Sequence, residues 1–257
     1  MTRFAYLDYP GPIPFAHRGG AGDWPENTMP AFEGAVALGY HYVETDVHVT
    51  ADGVLLAFHD DCLDRVTDRA GVIAELPYAE VARARVDGRE AIPRFEDLLA
   101  AWPDLRVNVD PKHDDAVEPL IAAIRRAGAV DRVGIGSFSD RRLQRLRVAL
   151  GPRLCVALGP RGTGALRAAS VGVPGSGWLV DRWGAGCAQV PTHHGRLTIV
   201  DRRFVQAAHR LDIAVHVWTI DEPAEMSRLL DLGVDGIMTD RPAVLKQVLA
   251  ERGAWAG

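Results

Sequence analysis

Short apolar runs rich in β-formers alternate with longer segments of helical period along most of this sequence. Alternation of that kind commits a chain to βαβ units and a parallel sheet. The runs are Ile13–Ala16, Tyr42–Val49, Leu55–Phe58, Leu105–Asp110, Arg132–Gly136, Leu154–Leu158, Ala188–Val190, Ile213–Trp218 and Gly236–Met238. Between them, apolar residues recur at helical spacing over Thr28–Leu38, Phe95–Ala101, Ala116–Ala127, Asp140–Ala149, Val200–Arg210, Pro223–Leu232 and Ala243–Glu251. Gly39, Gly128 and Gly233 stand where helices should stop. About eight main runs in 257 residues predict a closed (β/α)8 TIM barrel. A doubly wound sheet is the runner-up, because periodicity does not report closure. Two stretches break the pattern. Gly159–Gly186 is rich in Gly and Pro and its helix has no clear period, and Asp60–Ile92 reads as a short insertion after the second strand.

Composition narrows the function classes. A hydrophobic content of 47% is enough for a sizeable core, and residues 1–257 are read as one domain. Lys+Arg 29 against Asp+Glu 34 leaves a net charge of -5, which points neither to nucleic acid nor to an anionic membrane surface. Cys62, Cys155 and Cys187 are too few and too scattered for a disulfide framework or a zinc site, and fit reduced thiols in a cytoplasm. The segment Met1–Pro14 lacks the apolar block of a secretory signal, and no stretch reaches the roughly 18 apolar residues that span a bilayer. A cytoplasmic protein without membrane anchoring is therefore expected, and nothing in the composition fixes its oligomeric state.

In a parallel barrel, chemistry sits just past the C-terminal ends of the strands. The first strand ends in His17-Arg18-Gly19-Gly20. The second carries Glu44 and Asp46 at i and i+2, on one side of the strand, and the third carries Asp110 and Lys112 in the same relation. The short run after the second strand ends in His59-Asp60, and the seventh strand ends in Trp218-Thr219. Charges inside strands are expensive unless paired or bound to a metal. Three carboxylates supply hard oxygen donors suited to Mg2+, Ca2+ or Mn2+. Two histidines suit a general acid and a general base, while Arg18 offers a planar fork for phosphate oxygens and Lys112 a point charge. Together they describe hydrolysis of a phosphodiester.

These pieces resemble the glycerophosphodiester phosphodiesterase family. The resemblance rests on His17-Arg18-Gly19, Pro25-Glu26-Asn27-Thr28, Glu44-x-Asp46, Thr50-x-Asp52-Gly53, His59-Asp60 and Leu63-x-Arg65-x-Thr67. It continues through Asp110-Pro111-Lys112, Ser137-Phe138, Trp218-Thr219 and Gly233–Pro242. It implies a barrel of the single-domain bacterial type that hydrolyses glycerophosphodiesters to an alcohol and glycerol 3-phosphate with a divalent cation, in lipid and glycerol metabolism. By position it makes His17 and His59 the acid/base pair, and Glu44, Asp46 and Asp110 the metal ligands. Arg18 and Lys112 become phosphate-side cations, Trp218 a pocket wall, and Glu26 a residue that holds Arg18 or His17. The chain departs from the family at two places: Asp110 stands where Glu is frequent, and Asp221 where Asn is common. The related venom sphingomyelinases imply a cyclic-phosphate route, and a lysophospholipase D-like enzyme is the alternative activity; direct attack by water fits the same residues.

Other readings compete. Lys112 could serve Schiff-base chemistry in an aldolase, which leaves the two histidines and Arg18 unexplained. A barrel that binds without catalysis would have no use for the intact histidine and carboxylate set. His41, His48, His113, His209 and His216 read as surface or packing residues, His193-His194 as a solvated rim loop, and Arg141, Arg142, Arg145 and Arg147 as a solvated basic face.

Overall fold

The computed structural model describes residues 3–257, so Met1 and Thr2 of the proline-rich N-terminal segment lie outside the described residues. Eight parallel strands form its centre: β1 (Ile13–Ala16), β2 (Tyr42–Val49), β3 (Arg106–Pro111), β4 (Val133–Ile135), β5 (Cys155–Val156), β6 (Cys187–Val190), β7 (Ala214–Val217) and β8 (Gly236–Thr239). Their order is β5-β4-β3-β2-β1-β8-β7-β6. A single parallel bridge, Ala157 to Cys187, joins the two ends and brings the sheet round into a barrel. Eight helices cover it: α1 (Met29–Ala37), α2 (Phe95–Ala101), α3 (Val117–Arg126), α4 (Asp140–Leu150), α5 (Pro160–Ser170), α6 (Arg202–Arg210), α7 (Pro223–Leu232) and α8 (Pro242–Glu251). The expected TIM barrel is the observed one.

Local signals explain the boundaries. The Thr28, Ser139 and Asp201 side chains accept hydrogen bonds from the first turns of α1, α4 and α6. Proline occupies N1 or N2 of α1, α5, α7 and α8, where its fixed φ suits a helix start. Gly233 closes α7 in the left-handed region at φ 87, a conformation open to glycine at little cost. β2 is buried along all eight residues, so its length comes from strands on both flanks and helices outside.

The two irregular stretches resolve differently. Leu55–Ala57 is not a barrel strand but runs antiparallel to the end of β2. It leads into residues 60–92, whose Leu63, Ile73, Val81, Ala84, Val86 and Ile92 make a small core with Leu56 and Phe58 of the preceding run. Gly159–Gly186 holds α5 and a second short helix, Ser176–Asp181; its glycines and prolines obscured the period.

The N-terminal end of the barrel is closed by the segment before β1. Tyr6 is fully buried; its carbonyl accepts the Tyr42 hydroxyl at 2.5 Å, and its ring lies edge-on to Tyr42 at 5.4 Å. A Cβ on Gly134 of β4 would sit 2.4 Å from that ring, so the plug requires glycine there. Tyr6→Ala is expected to lower the unfolding free energy by about 3–5 kcal/mol, as for other large aromatic truncations. A urea midpoint matching wild type would refute the plug's contribution.

Candidate active site

At the opposite end, the strand termini converge. β1 runs directly into a single 3-10 turn, His17–Gly19, in which Arg18 adopts φ 51 and ψ 31. That left-handed residue costs about 1–2 kcal/mol. It turns the Arg18 amide onto Glu44, which accepts at 3.2 Å through Oε2. His17 Nδ1 lies 2.6 Å from Asp240 Oδ1, just past β8. With the proton on Nδ1, the ring donates to Asp240 and turns Nε2 toward Glu44, 3.7 Å away. Burial resists charging this imidazole, but Glu44 and Asp240 outweigh it and hold its pKa above the ordinary value.

The carboxylates sit where the β2–β3 register puts them, with Asp46 opposite Asp110 and Glu44 opposite Asn108. Lys112 Nζ reaches Asp46 at 2.6 Å and Asp110 at 3.4 Å. Burial, then repulsion from Asp46, lifts the Glu44 pKa to about 7. Burial also lifts Asp110 to about 6 against the pull of Lys112. Burial opposes the Lys112 charge, yet Asp46 and Asp110 raise its pKa, so the amine stays protonated and is a poor Schiff-base nucleophile. Asp46 Oδ2 and Asp110 Oδ1 are buried without a hydrogen-bond partner. Glu44 and Asp110, which resist ionisation, and the unpartnered oxygens of Asp46 and Asp110 fit a hard divalent cation, which would offset their charge.

His59 follows the Leu55–Ala57 strand. Its loop is pinned to β2, because the Phe58 amide donates to the Asp46 carbonyl at 2.9 Å and His48 Nε2 to the His59 carbonyl at 2.9 Å. His59 Nδ1 lies 2.5 Å from Asp60 Oδ1, repeating the His17–Asp240 arrangement. The Arg65 guanidinium, then His59, hold the Asp60 carboxyl down at about 2, so it remains an anion. Arg65 also grips Glu26 with two bonds of 2.9 and 2.7 Å, and Glu26 Oε1 accepts from Arg18 at 3.1 Å. Of the two partners expected for Glu26, it holds Arg18, and it holds Arg65 as well. Because Arg65 and Asp60 belong to the insertion, residues 60–92 brace the rim on that side.

Trp218 ends β7 half-buried, with the exposed Phe138 ring edge-on at 5.9 Å. Asp221 points away from any cation role: its Oδ1 accepts from the Thr239 hydroxyl and the Asp240 amide, both at 2.9 Å. It thereby fixes the segment that presents Asp240 to His17.

One reading changes and one is extended. Arg142 donates to the Lys112 carbonyl and Arg147 to the Gly184 carbonyl, so the basic face of α4 is partly internal. Of its two readings, surface or packing, His48 takes the packing one, buried on β2; beyond that reading, it converges with His113 on Asp61 as a group able to hold a metal ion. Asp60, Arg65 and Asp240 stand within the motif segments, but no role had been read for them. Their signal was positional: Asp60 adjoins His59, and Asp240 follows the last strand.

The comparisons agree with this geometry. A sequence profile of the glycerophosphoryl diester phosphodiesterase family matches residues 17–244. The Mycobacterium tuberculosis protein named "Probable glycerophosphodiester phosphodiesterase 2" is 40% identical, over 98% of this chain and 96% of its own. A crystal structure from Silicibacter pomeroyi, assigned to glycerophosphoryl diester phosphodiesterases, superposes with a TM-score of 0.81 at 24% identity, covering 98% of this chain and 100% of its own. An Oleispira antarctica phosphodiesterase, solved with its product sn-glycerol-3-phosphate, matches at a TM-score of 0.77 and 22% identity over 93% of this chain and 97% of its own. The residues of the barrel rim and the profile match lead to one assignment: the chain belongs to the glycerophosphoryl diester phosphodiesterase family.

Proposed function

We propose that this chain hydrolyses glycerophosphodiesters to an alcohol and glycerol 3-phosphate, with Glu44, Asp46 and Asp110 holding a divalent cation and His17 and His59 moving the protons. One observation carries the reading: two rim imidazoles each have Nδ1 on a carboxylate, which leaves both Nε2 atoms for proton transfer. When bound, Mg2+, Ca2+ or Mn2+ would polarise the phosphoryl oxygens and orient the diester. Arg18 and Lys112 add charge to the same oxygens as they gain negative charge. One histidine takes the proton of the attacking group and the other delivers one to the leaving alcohol; with water as attacker glycerol 3-phosphate forms directly, and with a substrate hydroxyl a cyclic phosphate forms that water then opens to it. Trp218 walls the organic part of the substrate. The product bound by the Oleispira relative supports a small phosphodiester as substrate. Among the described residues no helix is long and apolar enough to cross a membrane. A single-domain cytoplasmic enzyme of lipid-derived glycerol metabolism completes the reading, supported by three free cysteines.

A head-group panel (choline, ethanolamine, glycerol, inositol) run with each cation tests this. Release of glycerol 3-phosphate from at least one is expected; no turnover with any pair contradicts it.

The raised carboxyl pKa values also bear on stability. The folded protein binds a proton at Glu44 more tightly than the unfolded chain does. Without a cation, stability therefore falls as pH rises from the ordinary glutamate value of 4.5 toward about 7. Asp110 acts in the same direction from 3.8 to about 6. His17, with its pKa raised, likewise loses its contribution as pH rises past the ordinary 6.5. A divalent cation offsets the carboxylate repulsion only where the carboxylates are ionised. Thermal melts should show a larger cation-induced rise in Tm at about pH 8 than at about pH 5. An equal rise at both pH values would count against these ligands.

A further inference from the structure

We infer a second metal site, of the zinc class, formed by His48, Asp61 and His113 at the anchor of the His59 loop. Asp61 Oδ1 lies 2.9 Å from His113 Nε2 and 3.9 Å from His48 Nε2, and ligand atoms from all three residues fall within 4.8 Å of one another. A tetrahedral ion with ligand lengths of about 2.0–2.2 Å sets its donors roughly 3.3–3.6 Å apart, so small shifts of two side chains would seat it. His48 is fixed by burial on β2, and its ring stands 5.4 Å from that of His113. Two imidazoles and a carboxylate select a borderline-soft ion such as Zn2+ or Co2+. The all-oxygen set of Glu44, Asp46 and Asp110 favours a hard one.

The position of the site gives it a consequence. His48 Nε2 donates to the His59 carbonyl at 2.9 Å and His113 Nε2 donates to Asp61. Coordination through those nitrogens moves each ring proton to Nδ1, with no net proton released, and removes one of the two bonds that pin the His59 loop to β2, leaving only the Phe58 amide on the Asp46 carbonyl. Filling the site therefore weakens the placement of His59 and inhibits turnover. That inhibition rests on the role proposed for His59; the binding does not.

Co2+ titration of the full chain, with the oxygen site saturated by excess Mg2+, separates the two. Wild type should give the intense visible absorption of tetrahedral Co2+. His113→Ala and Asp61→Asn should each weaken binding by more than about 100-fold, beyond the roughly 10–100-fold that loss of an outer-shell partner costs. Absorption unchanged in both variants, or only the faint bands of octahedral Co2+, overturns the site. In parallel, Zn2+ should inhibit wild type at saturating Mg2+ and leave His113→Ala, with unchanged basal activity, unaffected. Equal inhibition of the two overturns the coupling to His59. If the protein lacks phosphodiesterase activity, the Co2+ spectrum still decides whether the site exists.

Discussion

His17→Ala is expected to lower kcat by about 10³-fold, within the range that a positioned general acid or base contributes. The fold should survive, because the 3-10 turn is held by the Arg18 amide on Glu44 and the Asn27 amide on the Arg18 carbonyl at 2.9 Å, neither of which uses the imidazole. Asp240→Asn gives a sharper test. It keeps the size of the side chain and leaves the Asp240 backbone amide on Asp221, but its amide oxygen can no longer hold the Nδ1 proton with full charge. The ring then loses both its favoured tautomer and one of the two anions that raise its pKa, Glu44 being the other. A fall in kcat of about 10²-fold is expected, with the limb of the pH–rate profile assigned to His17 moved toward lower pH. An Asp240→Asn enzyme with the wild-type profile would show that the dyad does not set the protonation of His17.

Glu44→Gln should have an effect as large, but opposite in sign on stability. Its amide oxygen can still accept from the Arg18 backbone, while the buried charge beside Asp46 is gone. In cation-free buffer near pH 8 the variant should melt no lower than wild type, and higher if the repulsion is as large as the raised pKa implies. Its activity should fall by about 10³-fold, the equivalent of several kcal/mol of lost charge stabilisation at the phosphoryl group. Greater stability with far lower activity is the pattern of a charge kept for a cation. Loss of both together would mean that Glu44 serves the fold.

What could be read in advance followed from periodicity and charge. β1, β2, α2 and α7 lie at the bounds their patterns indicate, because each is a clean apolar or amphipathic run between glycine and proline stops. The short run Leu55–Phe58 was legible as a strand but not its direction, since an apolar run carries no record of its partner; it lies antiparallel to β2. Glu44, Asp46, Asp110, His17 and His59 stood out as charged or titratable groups where strands end, and the structure gathers them at one rim. The contacts that orient them were hidden. Asp240 is 223 residues from His17, and Arg65 is 39 residues from Glu26, distances along the chain that no local pattern spans. His48 and His113 lacked any local sign of convergence for the same reason: the β2–β3 pairing brings the two together, and the antiparallel Leu55–Ala57 strand carries Asp61 to them.

The central claim is that cation-assisted phosphodiester hydrolysis runs between the two imidazole–carboxylate dyads. Phosphorus NMR of glycerophosphocholine turnover by the purified protein tests it most directly, with chelator, with cation restored, and in the His17→Ala/His59→Ala double variant. Glycerol 3-phosphate formation should stop with chelator, return with cation, and be lost in the double variant at every cation concentration. Turnover at the full rate in chelator, or in the double variant, would contradict it.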